Sequence, residues 1–136
     1  MTHPDAPAPQ VWPTLRATDA PALIAFLVEA FGFRTVARYD DGDTVAHAEL
    51  AWPLGGGLML GSARAGEDDW PLRPGTFGAY VVCDDPDALS ARAVAVGATL
   101  VYGPRDPDYG GREVGLRDPE GNLWSFGTYR GAPRTG

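Results

Sequence analysis

Two periodicities alternate along the chain. In DAPALIAFLVEAFG (19–32), Leu23, Phe26, Leu27, Ala30 and Phe31 recur at helical spacing, which predicts a helix with one apolar side. Asp19 stands where an N-cap oxygen is useful, Pro21 falls in the first turn where its missing N–H costs little, and Gly32 supplies the stop. The flanking segments alternate with the period of a strand. VWPTLRA (11–17) reads as one, with Pro13 near its start, where an edge or a bulge tolerates proline. FRTVARY (33–39), TVAHAELAW (44–52) and GGLMLGSA (56–63) read as three more. DDGD (40–43), with Gly42, makes one turn between them, and the Pro/Gly run from Pro53 through the glycines at 55–57 makes the other.

RAGEDDWPLRPG (64–75) breaks the pattern and reads as a linker. The pattern then restarts. TFGAYVVC (76–83) is a predicted strand, and DDPDALSARAVAVG (84–97) a helix capped by Asp84 and ended by Gly97. ATLVYG (98–103) is a strand, PRDPDYGG (104–111) a loop, and REVGLRD (112–118) with NLWSFGTY (122–129) a hairpin around PEG. Asp19 to Gly32 and Asp84 to Gly97 have equal lengths, with Pro21 and Pro86 two residues after each cap, a constant offset of 65. The chain is therefore an internal repeat of strand–helix–strand–strand–strand. The expected fold is α+β: two tandem βαβββ modules, 11–63 and 76–130, in a single domain over 11–130. Residues 1–10 read as a flexible lead-in and 131–136 as a tail. Each module leaves an apolar sheet face that it cannot bury alone, so the mixed sheets are expected to curl around a cavity.

Three stretches carry a resemblance: EAFGF closing the first helix, DGDTVAHAEL followed by GLML, and DPDYGGREVGLRDPEGNLWSFGTY, in which DPEGN turns into the last strand. Together they resemble the vicinal oxygen chelate superfamily of glyoxalases, bleomycin-resistance proteins and dioxygenases, in its glyoxalase-like subgroup. The resemblance covers 11–130. It implies a homodimer in which the cavity is completed between chains, and the linker 64–75 could hinge such an exchange. Fold alone does not choose among the lyases, isomerases, epimerases, dioxygenases, thiol transferases and drug-binding proteins of the superfamily.

Enzymatic members hold a divalent metal through His, Gln or Glu side chains converging from several strands. The resemblance places Trp12, Glu49, the window Phe77-Gly78-Ala79, and Ser125 at those four positions. Only Glu49 is a good ligand. His47, on the same strand face, could join it, so these two are weak metal candidates, and no metal or other cofactor is expected. Nor is there a Gly-x-Ser-x-Gly or a phosphate loop. Cys83, inside YVVC, reads as a buried thiol.

The expected function is a metal-independent small-molecule binding protein that sequesters an antibiotic or natural product. A metal-dependent lyase, isomerase or dioxygenase of the glyoxalase type is the alternative. Trp12 would offer a stacking surface where a ligand is lost, and Arg16, of the same parity, could meet a carboxylate. His47, Glu49 and Ser125 complete the cavity positions, with Trp52 and Trp70 near its edge. Tyr109 would lie at the mouth, and Arg112 could meet a ligand anion or a neighbouring acid. Trp124 and Phe126, of opposite parity to Ser125, belong to the core.

Composition narrows the partner. The 136 residues carry a net charge of −7 with a pI near 4.6, and all 11 basic residues are arginine. Such a surface repels nucleic-acid phosphates and suits a cationic or planar aromatic ligand, a peptide antibiotic included. No apolar run approaches the roughly 18 residues of a membrane span, and the first residues are no secretory signal. A single cysteine excludes an intramolecular disulfide and agrees with a cytoplasmic location.

Overall fold

A computed structural model describes residues 8–64, 66 and 69–134. His3, most of the lead-in, linker positions 65, 67 and 68 and the last two residues lie outside them. The first module is β1 (Thr14–Ala17), α1 (Ala20–Phe26) running into a wider turn (Leu27–Phe31), β2 (Arg34–Asp41), β3 (Thr44–Ala51) and β4 (Gly57–Ser62). The second repeats it: β5 (Gly78–Val82), α2 (Pro86–Ala95), β6 (Thr99–Arg105), β7 (Glu113–Arg117) and β8 (Leu123–Gly127). The sheets have the same topology, β1-β4-β3-β2 and β5-β8-β7-β6. In each, the first and last strands run parallel and the other pairs antiparallel. The duplication predicted by the sequence is thus present in the strand order. Among the described residues no helix is long and apolar enough to cross a membrane.

The second helix corrects one expectation. Asp85, not Asp84, caps α2, its carboxylate accepting from the Ala88 N–H at 3.0 Å. Asp84 pairs instead with Arg130. Asp19 caps α1 in the same way, from the Ala22 N–H. The caps are therefore 66 residues apart while Gly32 and Gly97 remain 65 apart. The first module fits its extra residue by widening the last turn of the helix, where the Gly32 N–H reaches Leu27 O, five residues back. A one-residue insertion in a helix is absorbed in this way with little loss of bonding. β1 likewise begins at Thr14, after Pro13, which cannot donate to the ladder.

One core joins the modules. Leu15, Ala17, Leu50 and Leu60 bury the inner face of the first sheet, and Val114, Leu116, Trp124 and Phe126 that of the second. Phe31 lies between them, its ring 5.3 Å from Trp124 and 4.6 Å from Phe126. The Arg92 side chain of α2 donates to Ala30 O at 3.1 Å, tying the helix ends together. The turn DPEGN is built on Asp118, which is buried and accepts from the Glu120 and Asn122 N–H groups, the Asn122 amide and the Trp124 indole, at 2.9–3.0 Å. Asn122 in turn accepts from the Phe77 N–H at 3.0 Å, fixing the start of β5.

Candidate functional site

Each sheet buries one face in this core and leaves the other bare. On the first sheet the bare face carries Thr14 and Arg16 from β1, His47 and Glu49 from β3 and Met59 from β4. Parity sets this, because the alternate residues Leu15, Ala48, Leu50, Leu58 and Leu60 are core. A bulge leaves Ala46 without a partner, so that Tyr39 pairs with His47 and Asp40 with Val45. Tyr39 stacks on the His47 ring at 6.2 Å. A groove of about 290 Å³ runs along this face, with Arg16, His47 and Met59 on its floor and Arg64 and Trp70 at its rim. Trp70 is 56 % exposed. Trp12 is half-buried, anchored by its indole N–H to Pro9 O at 3.0 Å and resting against Gly57.

His47 and Glu49 are brought together, Nε2 to Oε2 at 2.9 Å. They are two donors from one strand, already bonded to each other. Among the described residues no three His, Cys, Asp or Glu side chains converge. Trp12 and Ser125 stand at two further positions where the family resemblance expects metal donors. This donor set does not fit a three- or four-ligand metal centre.

The bare face of the second sheet is aromatic. Tyr102 on β6 lies flat over Gly115 on β7, where any Cβ would collide with its ring. Tyr80 on β5 covers Gly127 on β8, its hydroxyl 2.6 Å from where a Cβ would be. Ser125 sits between them, paired with Gly115 on one side and Tyr80 on the other. The groove over this face is about 470 Å³. Below the tyrosines lies Glu113, buried on the same strand face as Gly115. It accepts hydrogen bonds from the Tyr102 hydroxyl at 2.5 Å and from the Tyr109 hydroxyl. Burial raises the Tyr102 pKa to about 12, with the Glu113 carboxylate adding to the shift.

Sequence reasoning missed Tyr80, Tyr102 and Glu113. Gly115 and Gly127 were the available signal, since a glycine inside a strand marks a place where another group comes close.

Trp52 stands between the modules and lines a groove there. Its indole N–H donates to Val82 O at 2.8 Å, its ring packs on Phe33 at 4.9 Å, and it lines a groove of about 350 Å³ with Phe77 and Leu54. Tyr109 is exposed at the end of the loop before β7, edge-on to Tyr129 at 5.4 Å. Arg112 is held by acids. It forks onto both oxygens of Asp87 at 2.6 and 3.0 Å and reaches Asp106 at 3.0 Å. That pairing holds the Asp87 carboxyl below its ordinary range. Trp124 and Phe126 are core residues, as their parity predicts.

The family model described as Glyoxalase/Bleomycin resistance protein/Dioxygenase superfamily matches residues 10–126. Among solved structures, the chain is similar to TioX from Micromonospora sp. ML1, at 31% identity and a TM-score of 0.72, covering 88% of this chain and 98% of that one. It is similar to TnmS3, an antibiotic binding protein from Streptomyces sp. CB03234, at 25% identity and a TM-score of 0.67, covering 92% and 98%. A glyoxalase/bleomycin resistance protein from the same Streptomyces is 26% identical, with a TM-score of 0.64 and coverage of 84% and 95%. No curated protein sequence matches the chain.

Proposed function

We propose, since the chain belongs to the Glyoxalase/Bleomycin resistance protein/Dioxygenase superfamily, that it is a metal-independent binding protein for a planar or cationic natural product of the antibiotic type. One observation carries this reading: two bare sheet faces are lined with aromatic and polar side chains in place of a chelating set. Such a surface supplies affinity by stacking and a few placed polar groups. Likeness to an antibiotic binding protein supports it. Each bare face is half of a cleft, and the reading includes a second copy of the chain that closes first face on second face. The ligand is then held between Trp12, Arg16 and Trp70 of one chain and the tyrosine face of the other.

Fluorescence titration with planar aromatic and cationic peptide antibiotics tests this. Saturable quenching is expected, with Trp12→Ala weakening it about tenfold. The competing reading is a metal-dependent lyase, isomerase or dioxygenase, favoured only by the His47–Glu49 contact. Stoichiometric metal by elemental analysis, lost in His47→Ala/Glu49→Ala, together with no antibiotic binding, would put that reading in place of ours.

A further inference from the structure

Tyr80, Tyr109 and Tyr129 are 42 %, 58 % and 40 % exposed, and together they line a cavity of about 390 Å³. Three exposed phenols converge there for reasons the core does not supply. Tyr109 and Tyr129 meet at 73°, so they form two walls of a corner. Tyr80 is fixed as a third wall by its hydroxyl, which donates to Tyr129 O at 2.6 Å. Behind the corner stands Glu113, only 8 % exposed and held by the Tyr102 and Tyr109 hydroxyls.

Glu113 is a buried carboxyl group whose hydrogen-bond partners are neutral phenols. Arg105, the cross-strand partner of Glu113, lies over the Tyr102 ring and forms no ion pair with the carboxyl, while Arg112 pairs with Asp87 and Asp106 and Arg130 with Asp84. A buried carboxylate that forms no ion pair is costly, and an arriving cation offsets that cost. Its field reaches the corner: the Tyr80 pKa is raised, first by burial and then by the Glu113 charge. A phenol that donates to a carboxylate also gains electron density in its ring, which strengthens attraction of a cation to the ring face. The chain shows this attraction already, with the Arg105 guanidinium 4.0 Å over the centre of Tyr102.

We infer that Tyr80, Tyr109 and Tyr129, backed by Glu113, form an aromatic cage for an alkylammonium or quaternary ammonium group. The inference rests on the ligand-binding reading above and specifies the charged part of the ligand. The rings supply a negative surface without hydrogen-bond acceptors that an N-alkylated cation cannot use, and Glu113 supplies the net charge.

The test uses choline and its uncharged carbon isostere 3,3-dimethylbutan-1-ol, followed through the ring-proton shifts of tyrosine-labelled full-length protein. Choline is expected to shift the three cage tyrosines saturably, and the isostere to bind about tenfold more weakly. Glu113→Gln should weaken choline about tenfold and leave the isostere unchanged. A tyrosine-ring readout separates charge from geometry: Glu113→Gln keeps one acceptor oxygen for one of the two hydroxyls, so the ligand-free ring shifts of Tyr80 and Tyr129 should stay near those of the wild type while choline affinity falls. Equal affinity for choline and isostere, indifference to Glu113→Gln, or no saturable shift would each overturn the cage. If antibiotics still quench tryptophan in that case, the cage alone has failed. If choline binds and no antibiotic does, the cage stands and the antibiotic reading falls.

Discussion

Glu120 reaches out of the second module to Asp19 in the first. Its two carboxylate oxygens accept the Thr18 and Asp19 N–H groups at 2.8 Å each. The turn residue of DPEGN thus serves the start of α1, next to the carboxylate of Asp19 that caps it. Glu120→Ala should cost about 1 kcal/mol, because water can partly replace the lost acceptor at this exposed site. Urea unfolding reads it, and Glu120→Gln, which keeps one good acceptor, should fall between the two. An unchanged midpoint would mean that this bridge does not hold the modules.

Asp118 should be far less tolerant. Asp118→Ala leaves two backbone N–H groups, the Asn122 amide and the Trp124 indole without their acceptor in the core. The expected loss is about 3 kcal/mol or more. It would appear as a large drop in melting temperature with a changed near-ultraviolet signal from Trp124.

Gly115→Ala should push Tyr102 off the second sheet. Overpacking of this kind costs about 1–3 kcal/mol. Because the clash is with one ring, Gly115→Ala/Tyr102→Ala should be more stable than the sum of the single losses. A strictly additive cycle would show that the ring does not rest on Gly115.

Alkaline stability follows from two shifted groups. Burial raises the Cys83 thiol to about 11 from an ordinary 9.0, and burial with Glu113 raises Tyr102 to about 12 from 10.0. In both, the folded chain keeps its proton at a pH where the unfolded chain has lost it. The stability is therefore fully present below pH 9 and is lost as pH rises through 9 to 12. Chemical denaturation across that range should show the decline, and Cys83→Ala should flatten its lower part. Thiol reagents should label Cys83 at pH 8 only after denaturation.

The proposed pairing of chains predicts a mass in light scattering of about twice 14.4 kDa at micromolar concentration. Ser125→Arg places a long charged side chain at the centre of the second bare face and should shift the population to monomer. A monomeric wild type would leave each face to bind ligand alone.

Much of the fold was legible because its signals are local. Helical spacing from Leu23 to Phe31, the alternation in TVAHAELAW and the DPEGN turn are written in neighbouring residues. The face shared by His47 and Glu49 follows from their separation by two. The boundary at Asp84 and Asp85 was not legible, since either aspartate makes a good cap and the arginine that pairs with Asp84, Arg130, lies 46 residues away. The second face was less legible still. Tyr102 and Glu113 meet across a β6–β7 ladder whose register shifts on both sides of Tyr102, and no pattern along one strand reports such a shift. For Arg112 the sequence left a ligand anion and a neighbouring acid both open, because the acids that hold it lie 25 and 6 residues away.

The widened turn at Leu27–Phe31 also bears on ancestry. The two halves share one topology, yet the first carries one residue more between its helix cap and its stop glycine. A gapless superposition that pairs Gly32 with Gly97 therefore mispairs the two helix caps by one position. Relatives in which the halves still match in length would be nearer the state at duplication, and the helix end, where a residue was gained or lost without harm, is where the lineages should be compared first.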